Sequence, residues 1–188
     1  MINIRIALLI AATAIASGCT SMAPTYTAPV ANVDAAAKLP ASVSVGKFGF
    51  APGQESSLNS VGARAQTFNS PTDGSYAEYV AEAAKADLRA AGKLNLTSPL
   101  VLTGTLEKNY LSAAGFNTND AEISVRFKLA EGSRVAFEKT VTAKHEWESS
   151  FIGAIARPRA IQNYVVTVQK LLNSLYSDPE FSGALSKK

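Results

Sequence analysis

Apolar and polar positions alternate most regularly in the second half of the chain. Leu100, Leu102, Gly104 and Leu106 interleave with Val101, Thr103, Thr105 and Glu107, which predicts a strand over about 100–111. Ile123, Val125, Phe127 and Leu129 then face one way and Glu122, Ser124, Arg126 and Lys128 the other, the pattern of a half-buried antiparallel strand. Glu131-Gly132-Ser133-Arg134 turns the chain with Gly-Ser as a two-residue hairpin loop. Val135, Phe137, Val141, Ala143 and Trp147 carry the inner face through the next strand, interrupted by Lys139 and His145, and Lys139 there points to a bulge near the strand middle. Upstream, Val43 and Val45 share a face, and Phe48 and Phe50 follow after a one-residue phase slip at Gly46. A first strand over 42–50, bulged at the glycine, accounts for that slip.

Two stretches switch to helical spacing. Tyr76, Tyr79, Val80, Ala83, Ala84, Leu88 and Ala91 recur at intervals of three and four, predicting a helix over 76–91. Ser75 followed by Glu78 supplies a capping-box start, and Gly92 a left-handed stop. Ile161, Tyr164, Val165, Val168, Leu171, Leu172 and Leu175 mark a second helix over 158–176, with Pro158 suited to its first position. Asp178-Pro179 stops it, and a last short turn carries Phe181 and Leu185.

The remaining segments read as connections. Residues 51–74 are rich in Gly, Ser, Asn and Pro and form a long loop, with a short extended piece at 65–68. Residues 112–120 are turn chemistry. Thr20 to Ala41 holds three prolines, many small residues and no apolar period, which predicts a flexible tether able to reach on the order of 70 Å when extended. The expected fold is α+β and two-layered: a mainly antiparallel sheet of about four strands in β-α-β-β-β-α order, with two helices on one face.

The N-terminus changes the picture. Met1 to Arg5 is a short start with one positive charge, and Ile6 to Ala16 is an apolar run of about eleven residues, too short to span a bilayer. Ser17-Gly18 then precede Cys19, the sole cysteine. This is the layout of a secretory signal ending in a lipobox, with Ala16 where Leu is usual, and it makes Cys19 the candidate for acylation with chains such as palmitate. The expected organisation is a lipoprotein signal peptide over 1–18, a lipidated N-terminus and tether over 19–41, and a single periplasmic domain over 42–186. With Cys19 modified no thiol is left for a disulfide. Cleavage removes only the charge of Arg5, leaving 17 basic and 15 acidic side chains, too balanced for a nucleic-acid binder.

The search for chemistry is mostly negative. His145 is the single histidine, and a hydrolase would need it beside Ser149 or Ser150 with a carboxylate behind, whereas Glu146 and Glu148 flank it on a strand whose neighbours point to opposite faces. The pattern favours a structural histidine, and no catalytic residue is assigned. One histidine and one acylated cysteine leave only carboxylates for a metal, without a calcium loop, and no phosphate-binding glycine motif or other cofactor signature is present. Asn95-Leu96-Thr97 fits a glycosylation sequon, which carries no weight in a bacterial lipoprotein. Glu122, Arg126, Lys128, Glu138, Lys144 and Glu146 read as a solvated outer sheet face. One constellation stands out. Phe151, Ile152 and Ile155 lie in an uncharged apolar loop, and Arg157 and Arg159 follow at the predicted helix start, where arginines oppose the helix dipole unless an anion sits there. The group is a candidate contact for an anion, a lipid or a partner protein. The plainer alternative packs the loop over the sheet edge and leaves both arginines solvated.

Taken together, the lipobox at Cys19, the strand-helix-meander-helix order and the ending Leu171-Leu172-Asn173-Ser174-Leu175 into Asp178-Pro179-Glu180-Phe181 and Leu185 resemble the YajG-like envelope lipoproteins of Gram-negative bacteria. A similar plan is seen in transport-auxiliary lipoproteins and in the lipoprotein partner of the lipopolysaccharide translocon. The resemblance implies no catalytic residues, and Thr20 after the cysteine is similar to lipoproteins sent to the outer membrane. The expectation is therefore a non-enzymatic, periplasm-facing lipoprotein of the outer membrane. It binds an envelope protein, peptidoglycan or a lipid through a sheet edge or through residues 151–157. The alternative is an accessory lipoprotein of a lipid or lipopolysaccharide transport system, which requires an acyl-sized groove between helices and sheet.

Overall fold

A computed structural model of the chain describes residues 21–63, 66–115 and 117–186. The predicted signal peptide and Cys19 lie outside the described residues. The fold is α+β, and its main sheet holds four strands in the order β2 (Ser44–Phe50), β5 (Leu100–Ser112), β6 (Thr118–Glu131) and β7 (Arg134–Glu148). β5, β6 and β7 form the antiparallel meander that the alternation predicts, whereas β2 joins β5 in parallel, across the helix α3 (Tyr76–Ala90). Between Val45 and Phe48 β2 gains one residue on β5, which is the bulge expected at Gly46. Glu131 pairs with Arg134 around Gly132-Ser133, as the turn sequence predicts.

The core lies between the inner sheet face and two helices, α3 and α4 (Gly153–Tyr176). Tyr76, Tyr79 and Tyr164 fill its centre, Tyr76 and Tyr164 meeting edge-on at 5.3 Å. Phe48 packs across the sheet on Phe127 at 6.0 Å, over a backbone that must be glycine: a Cβ on Gly104 would stand 2.4 Å from the Phe48 ring. Ser75 caps α3 by accepting the Glu78 N–H, but its own N–H goes to the Thr72 carbonyl, so only one arm of the expected box forms. The outer face is the charged one expected, with Lys108 and Lys144 on Glu122 and with Arg126 on Glu107.

Several expectations are corrected. Residues 21–41 are not a loose tether. The short strand β1 (Ser21–Met22) and the helix α1 (Val30–Ala37) belong to the folded body, and Ala23, Tyr26, Asn32, Ala36 and Leu39 are buried against α3 and α4. Their small and amide side chains hid this packing, because Asn32 and Tyr26 are buried for hydrogen bonding rather than for apolar area. The packed body thus includes residues of the 21–41 stretch and does not start at Ser42. The long loop is also partly regular: α2 (Glu55–Leu58) and β3 (Val61–Ala63) cover β5, and β4 (Gln66–Asn69) pairs antiparallel with β3 and in parallel with β1.

α4 starts five residues before Pro158, at Gly153. Ala156 and Ala160, both buried, extend the Tyr164 stripe upstream at intervals of four, a signal weakened by their size. Pro158 has no N–H for the Ala154 carbonyl, and both residues face water, which can take that acceptor. Lys139 sits inward between Phe137 and Val141, paired with Asp178 and Glu180 at the start of α5 (Pro179–Ser186). The bulge in β7 falls nearer its beginning, opposite Leu129 and Ala130, than the predicted middle.

Candidate functional site

β7 is an edge strand: it pairs with β6 along its length and, among the described residues, with nothing on its other side. A groove of about 510 Å³ runs beside that edge. Its floor is Thr142, Ala143 and Lys144, and its wall is the flank of α4 at Val166, Gln169, Lys170 and Asn173. The start of α1 closes the far side. The sequence places these residues by two periods: β7 shows Ala143 inward and Lys144 outward, and α4 turns Val168 and Leu172 into the core and Lys170 out to water. The groove therefore combines unpaired strand backbone, a few apolar contacts, carboxamides and the Lys170 ammonium, while the Lys144 side chain leaves the same edge on the outer face. Lys144 lies 3.5 Å from Glu122, but among the described residues Lys170 has no carboxylate in ion-pair range.

Lys170 instead meets His145. Its ammonium donates to Nδ1 at 2.8 Å, and Nε2 lies 2.8 Å from the Asn163 amide oxygen, an arrangement satisfied when Nε2 carries the ring hydrogen. Asn163 is held in turn by donating to the Arg159 carbonyl, and the imidazole leans on Trp147. Both ring nitrogens are thus engaged away from Ser149, whose hydroxyl donates to the Gly115 carbonyl. The structure does not bring His145 to Ser149 or to Ser150, whose hydroxyl oxygen accepts the Ile152 N–H. Among the described residues no cluster of three or more His, Cys, Asp or Glu side chains is placed to hold a metal ion.

The predicted contact residues sit at one end of the sheet. Phe151 is 77% exposed, Ile152 61% and Ile155 45%. Ile152 is the cap of α4 and Ile155 lies in its first turn, with Phe151 just ahead of the cap. Arg157 and Arg159 are exposed on the second turn, not at the helix start, so the anion cradle built on free N–H groups is not assembled as expected. The Arg157 guanidinium folds back to the first turn, 3.4 Å from where a Cβ on Gly153 would stand.

The sequence reading missed a buried polar cluster. The Asp87 carboxylate accepts the Tyr26 hydroxyl at 3.0 Å and the Asn32 amide at 2.8 Å, and Asn32 also donates to the Gln169 carbonyl at 3.0 Å. Burial pushes Asp87 up from 3.8 to about 6, against the lowering pull of these donors. Burial also raises the Tyr26 and Tyr176 hydroxyls, and the Asp87 charge adds to both. The cluster stitches α1 to α3 and α4 and opens onto no reactive group. Its signal was present, since Asp87 falls on the apolar stripe of α3 between Ala84 and Leu88.

The centre of the space between helices and sheet is filled by the tyrosines, Phe48, Phe127 and the leucines around them, and the groove of about 510 Å³ between α4 and β7 lies at its margin. No described helix is long and apolar enough to cross a membrane.

A two-layer α+β protein with a four-stranded mixed sheet and an open edge is what these elements define. Among solved structures, protein XCC0632 from Xanthomonas campestris, described by the family name DUF330, shares this fold: TM-score 0.56, 15% identity, covering 84% of this chain and 94% of that one. A lipoprotein candidate from Caulobacter crescentus CB15 aligns more loosely, with TM-score 0.44 and 16% identity over 72% of this chain and 98% of that one. Protein CT253 from Chlamydia trachomatis aligns at 0.33 with 12% identity, over 70% of this chain and 98% of that one. No family model and no curated protein matches the chain.

Proposed function

We propose that this chain is a lipid-anchored protein of the bacterial envelope that works by binding, taking an extended acidic segment of an envelope partner as an added strand on β7. The carrying observation is the unpaired β7 edge, which opens onto a groove presenting Lys170 and carries Lys144 on its outer face. Main-chain hydrogen bonds to such an edge give affinity, and flanking side chains select the sequence. Two ammonium groups favour a segment carrying Asp or Glu. The lipobox at Cys19 and the resemblance to YajG-like lipoproteins support the anchor, and Thr20 supports the outer membrane as its destination. A role as accessory subunit in lipid transport is the second reading, in which the groove between α4 and β7 would have to take the acyl chain.

A photoreactive residue at Thr142 or Lys144 of the full chain in living cells tests it, with Leu96, exposed at the opposite end, as reference. The expected result is a discrete adduct from the β7 positions and none from Leu96, its bound peptide rich in Asp and Glu. Lys144→Glu combined with Lys170→Glu should lower its yield at least about tenfold, the equivalent of roughly 1.4 kcal/mol. Equal labelling from Leu96, or a yield indifferent to charge reversal, contradicts the reading.

A further inference from the structure

We infer that the end of the domain carrying Phe151, Ile152 and Ile155 seats on the surface of the lipid bilayer, with Arg157 and Arg159 at the level of anionic headgroups. The three large apolar side chains lie within five residues and are 77%, 61% and 45% exposed, and two exposed arginines follow one turn later. Apolar residues at the tip with guanidinium groups just behind them match the depth profile of an interface: acyl chains first, phosphates above.

The course of the chain says what covers this surface. β6 begins and β7 ends here, with the Ser149 N–H on the Asn117 carbonyl, and α4 starts back down the sheet. α3 starts toward the same end: Tyr76, its first residue, stacks on Tyr164 of α4, and its last turn meets the start of β2 through Leu88, Leu94 and Val43. The N-terminal segment runs alongside α3 in the same direction. Ser21 pairs with Phe68, whose carbonyl accepts the Tyr76 hydroxyl; the Pro24 carbonyl accepts Tyr79, one turn on; Tyr26 reaches Asp87, near the helix C-terminus. Ser21, the first described residue, therefore lies beside the start of α3, on the side toward which α4 begins. Cys19 is two residues further, at most about 7 Å of chain. A lipid on Cys19 would hold this end, and no other, beside the membrane, which gives the apolar tip a high effective concentration of bilayer. The inference takes its orientation from the anchor proposed above.

The test uses the full lipoprotein extracted from membranes and reconstituted into vesicles of phosphatidylethanolamine and phosphatidylglycerol. Nitroxides are placed singly at Phe151→Cys, Ile155→Cys and, as reference, Leu96→Cys, which is 78% exposed at the far end. Collision with oxygen, which concentrates in acyl chains, is compared with collision with a water-soluble nickel chelate. The expected result is an oxygen-to-nickel ratio at 151 and 155 several-fold above that at 96, falling when Arg157→Gln and Arg159→Gln are combined. Vesicle flotation reports on the anchor separately. A chain that floats while 151 and 155 remain as open to nickel as 96 overturns the docking and leaves the anchor standing. A chain that does not float overturns both.

Discussion

A carboxylate shielded from water, as Asp87 is, ionises only against the loss of its hydration, which two donors, the Tyr26 hydroxyl and the Asn32 amide, replace in part. Its folded-state value of about 6 stands above the ordinary 3.8, so the folded chain holds this proton more tightly than the unfolded chain. The stability from this site is complete below the unfolded value and is lost as pH rises through about 6. Denaturant titrations should show a loss on the order of 2 kcal/mol between pH 4 and 7 that Asp87→Asn removes, whatever that variant does to absolute stability. An unchanged pH slope in the variant contradicts this account of the cluster. Gly104 makes a second prediction at this scale. With the Phe48 ring lying on its backbone, Gly104→Ala must displace an aromatic that also packs on Phe127, and about 1–3 kcal/mol of destabilisation is expected in the same titration. An unaffected midpoint would mean the ring moves freely.

Among the elements, those with strong periods were legible and those built from small or amide side chains were not. β5, β6, β7, α3 and α5 lie where the spacing of Leu, Val, Ile, Phe and Tyr puts them. α1 was lost because its buried face is Asn32 and Ala36, residues that carry little apolar signal, and the first turn of α4 was lost because Ala156 stands beside a proline that reads as a start. The parallel pairing of β2 is a tertiary outcome that no local period records. The correction at α1 has a consequence: removal of residues 20–41 should uncover Asp87 and the flanks of α3 and α4. We expect a truncated chain to melt at least about 5 °C lower than the chain that retains them, or not to fold, where a tether would leave the melting temperature unmoved. Amide exchange offers the matching check on α4, with protection at 156–161 expected from helix and none from a loop.

For the molecule as a whole, the sequence exposed the apolar tip and its arginines, while the β7 groove was legible only as a free sheet edge. Lys144 and Lys170 are 26 positions apart, and only the packing of α4 against β7 brings them to one strand edge. The two surfaces then have distinct assignments: the tip is the start of α4 at one end of the sheet, and the β7 edge runs along its side. A partner strand can reach that edge while the domain end rests on lipid. All of this orientation depends on the state of Cys19. The intact mass of the protein extracted from membranes tests that state most directly: a chain beginning at Cys19 and heavier by a diacylglyceryl group and an acyl chain is predicted, and a chain of unmodified mass, or one cut elsewhere, would contradict the account.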